Sequence, residues 1–253
     1  MLYFSDVRTT NLSAQLREIS IIDSIALANI PARHLEKAIT FLLLKAIVSE
    51  GVAVDTRGWT VQERMLASAY YLAGVLDNPD FEVGNGSFLD YLDGKIDFVE
   101  GPVDVGVIGN DTWTMRQLTG YMGESIERLQ GNIEGVEGRM HWLLGCMSSQ
   151  LVMKGEIAPH PSEEGKFDDF LIERMTIFSR YPESDFHQLL YAFYAGRKAL
   201  DHLFKIDIDD EGIVALPIMT GGADAELCPA RFPASHCTSG LAIAMAGKPI
   251  DAG

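Results

Sequence analysis

One short phrase occurs twice in this chain: Trp59-Thr60-Val61-Gln62-Glu63 and Trp113-Thr114-Met115-Arg116-Gln117. Each has the form of a capping box. The Thr hydroxyl can accept a backbone N–H at a helix start while the Glu or Gln reaches back to the Thr N–H. The pattern predicts helices opening at Thr60 and at Thr114, with Trp113 stapled onto Leu118. The flanking residues do not match, so the phrase does not mark an internal duplication, which would extend over a supersecondary unit.

Length and charge set the frame. At 253 residues the chain is long enough to bury roughly 70–75% of its unfolded surface without a disulfide or metal staple. Acids outnumber bases 36 to 20, for a formal charge of −16. Such a field repels phosphate backbones and anionic lipid, so neither nucleic acid nor membrane is expected as a partner. The three cysteines, Cys146, Cys228 and Cys237, are too few for a disulfide framework and fit a reducing compartment. The longest apolar run, residues 38–48, is too short to span a bilayer, and the N-terminus lacks the pattern of a signal peptide.

Periodicity predicts the elements. Residues 17–22 read as a short strand, followed by a helical turn from Asp23 to near Asn29. Pro31 is suited to the first position of a helix, whose apolar spacing runs over residues 32–48 until Gly51 stops it. The helix from Thr60 buries Met65, Leu66, Ala69, Leu72 and Ala73 and ends at Gly74 or at Asp77-Asn78-Pro79. Residues 95–99 and 103–108 alternate as a hairpin around Glu100-Gly101-Pro102, which Gly109-Asn110-Asp111 ends. A helix from Thr114 to about Gln130, a glycine-punctuated loop over 131–138, and a broadly apolar, hence central, helix over 139–154 follow. Two more helices span 167–179 and 184–204, and a second hairpin joins 205–208 to 213–216. The expected class is α+β, predominantly helical, with two small β-hairpins and an irregular C-terminal arm. Its regions are 1–158, 159–227, with the break at Pro159-His160-Pro161, and an extended arm over 228–253. One domain overall is the alternative to this division. The arm is expected to lie on its own domain or on a neighbouring subunit.

No constellation points firmly to chemistry. Asp207-Ile208-Asp209-Asp210-Glu211-Gly212 resembles the opening of a calcium loop, but its twelfth position is Ile218 where a bidentate acid is needed. A tight turn with Gly212 at positive φ explains it better. Cys228, His236 and Cys237 with Cys146 or His141 lack the close ligand pairing of structural zinc. Cys146 on an apolar helix should have a raised thiol pKa and be inert. His187 and His202, both placed on the 184–204 helix, stand too far apart to share a site. Thr238-Ser239-Gly240 lacks the leading glycine of a nucleophile elbow. The acid pairs Glu163-Glu164, Asp168-Asp169 and Asp209-Asp210 read as solvated faces or helix starts. No cofactor is expected.

Three stretches carry a resemblance: Ile21-Ile22-Asp23-Ser24-Ile25 onward to Ile47, Gly58-Trp59-Thr60-Val61-Gln62-Glu63-Arg64-Met65-Leu66, and Tyr181-Pro182-Glu183-Ser184-Asp185-Phe186. In these the chain resembles uncharacterised tail and baseplate proteins of tailed bacteriophages. The resemblance implies a non-enzymatic structural component of a tail or baseplate, located in the virion and in host cytoplasm during assembly. Its partners would be other virion or tail proteins in a hetero-oligomeric assembly, and it supplies no catalytic residue. The alternatives are a tail-assembly chaperone absent from the mature particle, and a small hydrolase using paired carboxylates from residues 77–97. Candidate interface residues lie at the two ends of the chain: Leu2, Phe4, Cys228, Phe232, His236 and Leu241. The acidic surface would steer docking onto a more basic partner.

Overall fold

Thr60 forms the capping box its sequence promises. Its hydroxyl accepts the Glu63 N–H at 3.1 Å, and the Glu63 carboxylate accepts the Thr60 N–H at 3.0 Å. The structure, a computed structural model, describes residues 2–48, 54–218 and 227–247. In chain order its elements are β1 (Val7–Arg8), β2 (Ser13–Ala14), α1 (Ile21–Ala28), α2 (Leu35–Ala46), α3 (Val61–Leu76), β3 (Glu82–Val83), β4 (Gly86–Ser87), β5 (Leu92–Asp93), β6 (Val103–Ile108), β7 (Asp111–Met115), α4 (Gly120–Arg128), α5 (Gly138–Gln150), β8 (Leu151–Met153), α6 (Glu164–Ser179), α7 (Glu183–Leu200), β9 (Leu203–Asp209), β10 (Gly212–Leu216) and α8 (Gly240–Met245).

The class is α+β. Among the described residues the strands form four antiparallel sheets, where two hairpins were expected: β1–β2, β3–β4, β10–β9–β5 and β6–β7–β8. From Val61 through Ala69 every side chain of α3 is buried, so this helix lies in the centre of the fold. One apolar cluster runs from Phe4 to Cys237. It includes α2, α3, α5, α6 and the β9–β10 hairpin. No helix among the described residues is long and apolar enough to cross a membrane.

The second Trp-Thr phrase is not a helix start. Trp113 and Thr114 lie in β7, whose burial alternates with Trp113 and Met115 inside. Thr112-Trp113-Thr114 is β-branched and aromatic, and its period of two suits a central strand. The helix instead opens five positions later, with Thr119 as N-cap, so Trp113 cannot staple onto Leu118. It packs near Phe178, ring centroids 6.4 Å apart. The strand also reassigns the first hairpin. β6 pairs with β7 across Gly109-Asn110, with Ile108 opposite Asp111, so the residues expected to end a hairpin form its turn. Gly109 has φ +63 there. Residues 95–99 form no strand.

Other boundaries shift for local reasons. Residues 17–20 are not a strand; α1 begins at Ile21, capped by Ser20, whose hydroxyl accepts the Asp23 N–H. Pro31 stands before α2, which starts at Leu35. Gly51 lies outside the described residues, and α2 has already ended at Ala46, where Ile47 turns out to bridge Leu16. The central helix expected to reach Lys154 ends at Gln150, and its last residues become β8 against β7. His202 has left α7 and lies just before β9. The β9–β10 hairpin forms as expected, with Gly212 at φ +137. The described part of the arm, 228–247, lies on its own chain. Ala230 bridges Ala215, and Phe232, Ala234, Cys237 and Ala242 are buried. It also holds a 3-10 turn and α8, so this part is not irregular throughout.

Candidate functional site

α1 and α8, far apart in sequence, pack against each other. Ser239 caps α8, its hydroxyl accepting the Ala242 N–H at 3.2 Å, and Ala242 faces inward. Each helix of the pair carries exposed apolar side chains. Ile22 is 73% exposed, Leu241 64% and Met245 60%, with Ile21 also exposed. Leu241 and Met245, four apart, share a helix face. Large exposed apolar side chains gathered on two short packed helices are what a protein contact surface looks like before its partner arrives.

The six candidate interface residues separate into two groups. Leu2, Cys228, His236 and Leu241 are exposed. Phe4 and Phe232 are buried in the chain's own core. Phe4 stacks on Tyr71 with centroids 5.0 Å apart. Phe232 sits among Phe81, Phe88, Tyr91 and Phe204. Cys228 is fixed through its backbone, its N–H donating to Asn85 at 2.8 Å and its carbonyl accepting the Tyr91 hydroxyl at 2.7 Å.

Behind these ends lies a charge network that sequence reading missed. Arg64, on α3, is wholly buried. Its guanidinium donates to the Glu36 carbonyl at 2.7 Å and to the Thr40 hydroxyl at 2.8 Å, and it pairs with the Glu36 carboxylate at 3.2 Å. Glu124 on α4 receives the Thr40 hydroxyl and stands 3.9 Å from the guanidinium. The α2 N-cap, His34, makes no side-chain cap bond. Glu127 of α4 supplies the missing cap from across the interface, accepting the N–H groups of Glu36 at 2.8 Å and Lys37 at 3.2 Å. Carboxylates outnumber the buried cation. Burial and then the Glu36 charge push Glu127 up to about 7, and burial raises Glu36 against the pull of Arg64. The arrangement ties α2, α3 and α4 together, and Glu124 also borders a cavity of about 550 Å³ with Thr40, Asp55 and Arg57. The legible signal was Gln62-Glu63-Arg64 inside an otherwise apolar helix.

Thr60 and His202 also meet. The imidazole Nδ1 faces the Leu200 carbonyl at 2.9 Å, which assigns the proton to Nδ1 and leaves Nε2 to accept the Thr60 hydroxyl at 3.0 Å. A hydroxyl–imidazole pair can serve nucleophilic chemistry, but here the oxygen is buried and already accepts the Glu63 N–H, which fits a cap. Four of the six acids of residues 77–97 are likewise engaged with backbone. Asp80 accepts the Leu89 N–H, Asp90 that of Ser87, Asp93 that of Lys95, and Asp97 that of Thr10. Asp209, in the calcium-like stretch, closes the β9–β10 turn on the Gly212 N–H and pairs with Arg231.

The thiols and imidazoles considered for zinc are apart in role. Cys146 is buried on α5 and its thiol is pushed up to about 12 by burial, as its apolar helix predicts. Cys237 is buried beside the Ser68 carbonyl. His141 Nε2 bonds the Ile126 carbonyl at 2.7 Å. Among the described residues no three His, Cys, Asp or Glu side chains gather to hold a metal.

Comparison of the chain with protein-family models, with curated proteins and with solved structures finds no match.

Proposed function

We propose that this chain is a non-enzymatic assembly component that works by protein–protein packing through the α1–α8 face. The observation that carries the reading is the exposure of Ile22, Leu241 and Met245 on two helices that pack against each other. The polar clusters support it from the other side, because their hydrogen bonds are directed at helix starts and turns. With a formal charge of −16, the partner's surface would be apolar where it covers these residues and basic around them, which speeds encounter and disfavours other acidic surfaces.

The assembly suggested by the sequence resemblance is the tail or baseplate of a tailed bacteriophage, with the chain as a resident part or as a chaperone that leaves before maturation. Two measurements test the reading. Hydrogen exchange on the chain alone and with the neighbouring tail proteins should show new protection over residues 21–26 and 240–245. Mass spectrometry of purified particles separates a resident from a chaperone. Unchanged exchange in these segments, with binding elsewhere, counts against the face; failure to bind any tail protein counts against the assembly.

A further inference from the structure

We infer that the cavity between α2, α4 and residues 54–57 binds a free amino acid with an apolar side chain, its ammonium on Glu124 and its carboxylate on Lys37. The cavity holds about 550 Å³, within the range of small-molecule sites, which join apolar walls to a few polar groups. Ile30, Phe41, Leu44 and Val54 supply the apolar part of the lining. Leu44 and Val54 are exposed, so part of this apolar surface is left to solvent. The described lining residues include none from α1 or α8, and the inference does not rest on the α1–α8 face.

Of the charged residues in the described lining, Arg57 and Asp55 cancel each other. Arg57 donates to the Asp55 carboxylate through Nε at 3.1 Å and Nη2 at 3.0 Å, and the Tyr121 hydroxyl donates to the same carboxylate. Glu124 and Lys37 remain. Oε1 of Glu124 receives the Thr40 hydroxyl, whose oxygen in turn accepts Nη2 of Arg64 at 2.8 Å. Oε2 has no hydrogen-bond partner among the described residues and, unlike Oε2 of Glu36, is not sealed inside the protein. The Glu124 side chain keeps 17% of its surface and borders the cavity. A carboxylate fixed through one oxygen and open at the other is preorganised for a charge-assisted hydrogen bond from a cation. Lys37 is exposed, and its ammonium forms no ion pair among the described residues.

The surroundings of Glu124 favour a cation there. Glu36 and Glu124 share one guanidinium, and the Glu127 carboxylate stands close enough to feel both, so negative charge is in excess behind the cavity wall. An amine without a carboxylate would meet Lys37 in the lining, and a carboxylate without an amine would meet Glu124. A molecule carrying both charges satisfies both. Their spacing is short: Lys37 precedes Thr40 by three residues on α2, one helical turn, and Thr40 is the residue that holds Glu124. Phe41 and Leu44 follow Lys37 at four and seven residues, on the same face of α2, and both line the cavity. The apolar body of the ligand therefore lies along the helix from the point where its carboxylate is held.

The test is titration of the full chain, followed by calorimetry and by amide NMR shifts, with L-leucine as probe. Isoamylamine, the same body without the carboxylate, and isocaproate, the same body without the ammonium, are the other arms. L-leucine should bind saturably, at least about tenfold more tightly than either, and should move the amides of Thr40 and Phe41. Lys37→Met, a change at an exposed residue, should lose that factor and bind L-leucine no better than isoamylamine. Glu124→Gln, checked for folding by circular dichroism, should bind L-leucine no better than isocaproate. If Glu124→Gln does not fold, the three ligands on the native chain and Lys37→Met decide. No saturable binding of L-leucine, equal binding of isoamylamine or isocaproate by the native chain, or undiminished binding of L-leucine by either folded variant overturns the assignment.

Discussion

Gly120 makes room for Arg64. A β-carbon at position 120 would stand 1.5 Å from Nη1 of the Arg64 guanidinium and 2.9 Å from its Cδ. α4 can approach α3 this closely because residue 120 has no side chain, and the approach brings Glu124 and Glu127 to Arg64 and to the start of α2. Gly120→Ala should therefore destabilise the fold by about 3 kcal/mol or more, since a buried guanidinium with several partners cannot move aside cheaply. Gly58→Ala, where nothing lies within 4 Å of the added carbon, is the control and should be near neutral. Urea unfolding of the two variants checks the pair.

The two Trp-Thr phrases should respond differently to the same substitution. Thr60→Ala removes the acceptor for the Glu63 N–H and the donor to His202, both buried, and should cost about 2 kcal/mol. Thr114→Ala removes a half-buried strand residue whose hydroxyl reaches the Val152 carbonyl only at 3.4 Å, and should cost less than about 1 kcal/mol. Equal losses in denaturant titrations would argue against the strand assignment of the second copy.

Glu127 should make stability depend on pH in an unusual direction for a carboxylate. Its folded value of about 7 lies above the ordinary 4.5, so the folded chain holds the proton more tightly than the unfolded one. The associated stabilisation is complete below about pH 4.5 and is lost as pH rises through about 7. Glu36, raised by burial as well, has the same sign. The urea midpoint should fall across this window, and Glu127→Gln should flatten the fall. Parallel pH profiles for the two proteins would contradict the assignment.

Removal of the arm tests whether it belongs to the core. Truncation after Leu227 takes away Phe232, Ala234, Cys237 and Ala242, all buried. Loss of Phe232 from its aromatic cluster alone is worth about 3–5 kcal/mol. The melting temperature, followed by circular dichroism, should drop by about 10 °C or more. An unchanged value would mean that the arm contributes nothing in solution.

The open face should separate binding from folding. Leu241→Glu changes an exposed residue and should shift stability by no more than about 0.5 kcal/mol. The same change places a charge in the centre of the proposed contact and should weaken association with a partner at least about tenfold. Ile22→Glu should act in the same way. Normal association of both folded variants, measured by calorimetry, would remove the α1–α8 face from consideration.

Local sequence determined much of the architecture. The capping box at Thr60, the apolar period of α2, the inner face of α3, the central α5, the α6–α7 pair and the β9–β10 turn at Gly212 were all readable, because helix caps, periodicity and turn glycines act over a few residues; the burial of α3 on every side from Val61 to Ala69 was not. The same rules misplaced Thr114, because a capping box and a strand of alternating Thr and Trp can be written in the same letters; what decides is pairing with β6 and β8, which lie elsewhere in the chain. Leu2 and Leu241 remained outside while Phe4 and Phe232 went inside, a division that composition at the chain ends does not contain. The Arg64 network was invisible for the same reason. A charge declares itself in sequence, but its burial, its partners and the glycine that admits it are set only when α2, α3 and α4 are brought together.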